Sequence, residues 1–264
     1  MHDFYLGTAP APLDQADGLR RLFAGAGKRF LPLAANPYAA FSGVAIERLT
    51  AALALLGHHT LIVDAADNSP AASEATALEL APCIETLAPQ VSYLAARGLP
   101  LRHVNTRGSS ARLLDELAAA APQADIILVH AGAADLARLF TRRSARPLLL
   151  AADHPDSVKH AYASLKLLVQ RCGWMSCDLM LVAPPLSARL PHIATSLASC
   201  ADNFLGAAVA GWAAIDPASL ASEAPTAALC RIVAAQLHLD DDPSSARLPA
   251  PRQALPTATE AACH

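Results

Sequence analysis

The chain has 264 residues, carries 20 Lys and Arg against 23 Asp and Glu, and is 53% hydrophobic. That length suffices for one large domain or two small ones with a sizeable core, and an apolar fraction rich in alanine leans towards helices packed on a buried sheet. A net charge of −3 leaves no electrostatic footprint for nucleic acid, and no apolar run reaches the roughly 20 residues that span a bilayer.

Residues 13–24 place Leu13, Ala16, Leu19, Leu22 and Phe23 at helical spacing, and Gly25 and Gly27 end the pattern. The run over 29–34 reads as a buried strand. A loop over 35–42 leads into a helix over 43–56, which Gly57 stops, and residues 59–63 form a second buried strand ending at Asp64. Strand, loop, helix, strand with continuous apolar strands predicts βαβ units and a parallel sheet covered on both faces. The alternation continues with a short strand over 101–104, a helix over 110–121 and strands over 126–129 and 147–151. A helix over 157–170, a strand over 179–182, a helix over 191–204, a strand over 208–212 and a helix over 226–239 follow. Residues 240–264 open on three aspartates, scatter prolines and small residues, and show no periodicity, which predicts a disordered tail.

Cys83, Cys172, Cys177, Cys200, Cys230 and Cys263 form no C-x-x-C pair and have no histidine at zinc-finger spacing, so free thiols are expected and no metal site. Residues 1–12 lack a basic stretch followed by an apolar run, so the expected location is the cytoplasm.

Two stretches resemble MinD/ParA-type P-loop ATPases. In that family a strand leads into K-G-G-V-G-K-T-T, then a helix ending in an alanine-rich N-L-A-A-A-L-A-x-x-G, then a strand ending in Asp. Here Leu49, Ala51, Ala52, Leu53, Ala54, Gly57 and the run to Asp64 follow that frame without a gap. In register, Pro37 falls on the first lysine, Ser42 on the P-loop lysine and Gly43 on the magnesium-binding threonine, while Tyr38, Ala39 and Phe41 fall on cradle glycines. A phosphate loop points backbone N–H groups at phosphate oxygens while a lysine reaches the terminal phosphates. Pro37 supplies no N–H, and Tyr38 and Phe41 bring bulk where the chain must curl closely. The resemblance therefore implies a doubly wound, mainly parallel α/β fold with a degenerate nucleotide loop and no nucleotide cofactor. Residues 124–133 resemble the D-x-x-x-I-D-T-G-A segment of the family, with His130 at its second aspartate. A strand-end histidine satisfied by a neighbouring backbone group is the expected role of His130, and a strand-end cap that of Asp64.

The segments over 148–162, 203–206 and 211–217 further resemble flagellar-number regulators of the FlhG/FleN type. So does Asp14-Gln15-Ala16-Asp17-Gly18-Leu19-Arg20, which matches their D-Q-A-x-x-L-R motif. In that family the motif is a helix that engages FlhF, an SRP-type GTPase, and stimulates its hydrolysis. The resemblance implies an arm over 1–27, an α/β domain over 28–239 and a tail over 240–264. Asp14, Gln15, Ala16, Leu19 and Arg20 would meet the partner, and flagellar basal-body proteins would be further partners. Nucleic acid is not expected as one. Membrane contact would be peripheral, by recruitment to the inner membrane at the flagellar pole, since the 226–239 helix has only Arg231 as a cation and core packing accounts for its apolar residues. Two other readings stay open: a residual ATPase with an atypical loop, and a structural heterodimer partner of an intact MinD-like protein.

Overall fold

The computed structural model describes residues 28–238 except Leu78 and Pro185. The arm over 1–27, including the motif helix, and the tail over 240–264 lie outside the described residues. The strands are β1 (Arg29–Ala34), β2 (Thr60–Asp64), β3 (Glu85–Ala88), β4 (Val91–Ala95), β5 (Ile126–Ala131), β6 (Leu148–Ala152), β7 (Ser176–Val182) and β8 (Ala208–Ile215). The helices are α1 (Ser42–Leu55), α2 (Leu99–Arg102), α3 (Ala111–Ala120), α4 (Ala133–Leu139), α5 (Pro155–Cys172), α6 (Arg189–Leu205) and α7 (Ala227–His238).

All eight strands join one sheet in the order β3-β4-β2-β5-β1-β6-β7-β8, parallel except for β3 against β4. The central strands are apolar on both sides because both faces are covered. Leu61, Val63, Ile127, Val129, Leu149 and Leu179 face the helices α3 to α6. Leu33, Ile62, Leu128, Leu150 and Met180 face α1 and α7. α7 spends Leu229, Ile232 and Val233 in that second core. Among the described residues no helix is long and apolar enough to cross a membrane.

The doubly wound, mainly parallel α/β class read from the sequence is the observed one. The strand expected over 101–104 is instead α2, a single helical turn. Gly98 enters it at φ 81°, Pro100 sits in its first turn, and buried Leu99 anchors it. The chain leaves β2 through β3 and β4, a hairpin absent from the sequence reading. Its edge strand is exposed at every residue and its inner strand is mostly half-buried, so neither shows an apolar run. Helix α4 was also not foreseen, being short and alanine-rich.

A buried carboxylate joins β7, β8 and α7. Asp178, 1% exposed, accepts from Gln236 Nε2 at 2.8 Å. Arg146 Nε lies 2.8 Å from the same oxygen as an ion pair, off the line of a hydrogen bond. Burial pushes the Asp178 carboxyl up, against Arg146 and the Gln236 and Gly211 donors. Removing one partner of a buried pair strands the other charge, so Arg146→Ala should cost about 3–5 kcal/mol. Adding Asp178→Asn should recover part of that loss. Urea unfolding of the two variants checks both.

Candidate functional site

The strand order reverses around β1, so the loops after β1, β2, β5 and β6 collect at the carboxyl edge of the sheet, where open α/β folds place their sites. The loop after β1 is tied down by one side chain. Asn36, 3% exposed, donates through Nδ2 to the carbonyls of Leu150 and Ser157, both at 2.8 Å, and to Ser157 Oγ at 3.0 Å. Its Oδ1 accepts the N–H of Tyr38 at 3.1 Å, and its carbonyl accepts the N–H of Ala39 at 3.0 Å. Two loop amides therefore turn inward onto Asn36. Ser157 Oγ also accepts the N–H of Ala152 at 2.9 Å, which closes the knot on the end of β6 and the first turn of α5.

Pro37 and Tyr38 are exposed, and the Tyr38 ring meets His160 of α5 edge-on at 5.8 Å. Phe41 is 62% exposed and stands at φ 61°, ψ 30° immediately before α1, with no side-chain cap. The left-handed conformation that glycine enters without strain thus persists where the resemblance expects glycine. Ser42 is half-buried. Gly43 is exposed, and a Cβ there would meet nothing within 4 Å. No Lys or Arg occurs between Ala35 and Val44. The cation of α1, Arg48, is turned away and donates to the carbonyls of Glu223 and Ala221 at 2.6 and 3.0 Å.

Asp64 and His130 are register partners at the ends of β2 and β5. His130 Nδ1 lies 2.7 Å from Asp64 Oδ1, so the partner of the histidine is a carboxylate and not the backbone group expected. Ser69 donates to the same oxygen, and Tyr93 donates to Oδ2 at 3.3 Å. Asp64 therefore caps the turn after β2 while also holding His130. A carboxylate has about four acceptor sites, and three of them meet side-chain donors here. Burial works against the charge of Asp64, yet the hydrogen bond and charge of His130, with Ser69 and Ala66, hold the carboxyl below its usual range. Burial and the neighbouring Asp64 push Tyr93 up to about 12. With Asp64 ionised, His130 Nδ1 carries the proton of that bond. His130 Nε2 is buried and has no hydrogen-bond partner among the described residues.

The structure thus brings Pro37, Phe41, Ser42 and Gly43 to the same edge of the sheet as Asp64 and His130. Asp14, Gln15, Ala16, Leu19 and Arg20 lie outside the described residues. Sequence reasoning did not single out Asn36, Ser69, Tyr93 or Ser157. The Asn36-Pro37 dipeptide at a strand end is a turn-initiating signal that marks the first of them. Tyr93 offers none, because its strand is not legible.

No family model and no curated protein matches this sequence. Solved structures do match the fold. The MinC:MinD cell division protein complex of Aquifex aeolicus aligns at a TM-score of 0.54 and 12% identity, covering 86% of this chain and 100% of that one. A putative plasmid partition protein of Borrelia burgdorferi B31, bound to AMPPNP, aligns at 0.56 and 7%, covering 81% and 99%. Cobyrinic acid a,c-diamide synthase of Mycobacterium smegmatis, with bound ATP analog and magnesium, aligns at 0.56 and 14%, covering 81% and 96%. The chain therefore has the MinD/ParA-type P-loop NTPase fold. That fold carries a partition protein and a synthase alike, so it does not by itself choose a function.

Two outcomes are expected. A left-handed non-glycine residue costs about 1–2 kcal/mol, and Phe41 is largely solvent-exposed, so Phe41→Gly should hold or raise the thermal midpoint. The lowered Asp64 value makes its contribution complete above the unfolded carboxyl value of about 3.9 and lost as pH falls through the folded one. Asp64→Asn should therefore be less stable than the parent at pH 7, and its urea midpoint should fall less between pH 6 and pH 3. Equal acid sensitivity in both proteins would contradict the assignment.

Proposed function

We propose that this chain is a regulator of flagellar number or placement that works by contact with other proteins and does not turn over ATP. The observation that carries this reading is the knot around Asn36. Two amides of the loop, Tyr38 and Ala39, are spent on Asn36 itself, and the loop brings no lysine or arginine to the edge where a phosphate would lie. Asp64, at the strand end where the fold would place metal chemistry, is engaged by three internal side-chain donors.

With the loop's chemistry removed, action in trans is what remains, and the D-Q-A-x-x-L-R segment supplies it. The 14–22 helix would dock on the SRP-type GTPase FlhF in helix-in-groove fashion, with Leu19 as the apolar anchor and Arg20 as charge. Gln15, whose amide both donates and accepts, would reach the partner's nucleotide site and position water. Flagellar basal-body proteins are proposed as further partners, with recruitment to the membrane at the pole peripheral. A second reading, a structural heterodimer partner of an intact MinD-like protein, is favoured by the exposed rings of Tyr38 and Phe41 at the carboxyl edge.

The two halves of the proposal are checked separately. A ligand at 100 times its dissociation constant stabilises the native state by about 2.7 kcal/mol, so millimolar MgATP should leave the melting temperature unmoved if no nucleotide binds. GTP hydrolysis by FlhF should rise with the intact chain, and should stay basal with Gln15→Ala or with a chain starting after Ala24. Equal stimulation by the shortened chain would refute the role of the helix.

A further inference from the structure

Four arginines converge on one groove at the C-terminal ends of α4 and α5. Arg107 comes from the turn before α3, Arg138 from the last turn of α4, Arg142 from the turn that follows it, and Arg171 from the last turn of α5. The groove is open to solvent and has a volume of about 620 Å³. In a chain whose net charge is −3, this is a local concentration of positive charge.

The segments that carry these side chains are fastened to one another. Asn105 Oδ1 accepts the N–H groups of Arg107 and Ser109 at 2.9 and 3.1 Å, which fixes the first turn. The Ser110 N–H donates to the Arg138 carbonyl at 3.0 Å, which ties that turn to the end of α4. Beyond α4, Phe140 is buried edge-on between Phe30 and Trp174, at 6.4 and 5.5 Å. Arg143 is fixed by Trp174 Nε1 on its carbonyl at 3.0 Å, by Asp115 at 2.6 Å and by the Phe30 ring. Between those anchors Arg142 is exposed at φ 66°, a strained conformation for a non-glycine residue.

The charged ends are less committed than the backbone. Arg138 pairs with Asp135 at 2.6 Å. Among the described residues Arg107, Arg142 and Arg171 meet no carboxylate. Three positive charges are therefore left over. Helix-dipole compensation accounts for arginines in last turns, hence for Arg138 and Arg171, but not for Arg107 or the strained Arg142.

We propose that this groove binds a soluble small molecule carrying two or three phosphate charges. Arginine forks match phosphate oxygens bidentately, and the volume is that of a small-ligand site. The basic surface is local and concave, on a protein that is acidic as a whole, which disfavours an extended polyanion such as duplex DNA. The inference is independent of the flagellar reading.

Calorimetric titration of the full chain with inorganic tripolyphosphate at low salt tests it. One saturable site per chain is expected, weakened by 0.5 M NaCl. Arg107→Ala and Arg142→Gly should each weaken it at least about tenfold, as loss of a charge-assisted contact does. Arg231→Ala, an exposed arginine on α7, should change nothing. Arg142→Gly also releases the positive φ, so its thermal midpoint should hold or rise while binding falls, which separates a ligand role from a structural one. Absence of saturable heat, or equal binding by all variants, would overturn the proposal. So would binding to duplex DNA or anionic vesicles that tripolyphosphate fails to displace.

Discussion

The carboxyl edge of this molecule takes its shape from a single buried side-chain amide. Asn36 has two N–H hydrogens and one carbonyl to offer, and it uses them to hold the end of β6, the first turn of α5 and the N–H of Tyr38 in its own loop. A polar group left unsatisfied in the interior is costly, so the loop conformation is dictated by what satisfies Asn36. The same rule operates a few strands away. Asp64 collects donors from β5, from β4 and from the turn that follows it, so a carboxylate, an imidazole and a phenol on three neighbouring strands become one unit. Internal partners there do at folding what bound ions or ligands do in sites of other chemistry.

The pattern of the sequence made the scaffold legible and the site only partly so. Continuous apolar runs mark β1, β2, β5, β6 and β7 because these strands are buried on both faces, and periodicity marks α1, α5 and α6 because each packs one face on the sheet. The β3–β4 hairpin escaped because an edge strand with Glu85, Thr86 and Leu87 in solvent has no burial to write into its sequence. The stretch over 101–104 reads as a short strand from Leu101 and Val104 alone, since a window of four residues cannot separate periods of 2 and 3.6. Loop positions such as Pro37, Phe41 and Ser42 could be located by register with the neighbouring helix and strand. The contacts that hold the edge around them could not, because Asn36 with Ser157, and Asp64 with Tyr93, join distant parts of the chain.

Helix α5 connects the two chemically distinct regions. Ser157 in its first turn belongs to the knot at the carboxyl edge, while Arg171 in its last turn lines the basic groove. Fourteen residues at 1.5 Å each separate them by roughly 21 Å along a straight rod. That is about two and a half times the Debye length of physiological salt, so charge at one end is screened from the other, and any communication has to pass through displacement of the helix. Its buried stripe of Ala161, Leu165 and Leu168 in the main core resists such displacement.

The two tryptophans sit in unlike surroundings. Trp174 is 3% exposed, stacked edge-on against Phe140, with its indole N–H on the Arg143 carbonyl, whereas Trp212 is 38% exposed on β8. An indole in a rigid apolar setting emits to the blue of one that touches water. The turn carrying Arg142 therefore has an intrinsic optical probe beneath it, and a shift of that turn would register as a change in the short-wavelength part of the emission while Trp212 serves as an internal standard.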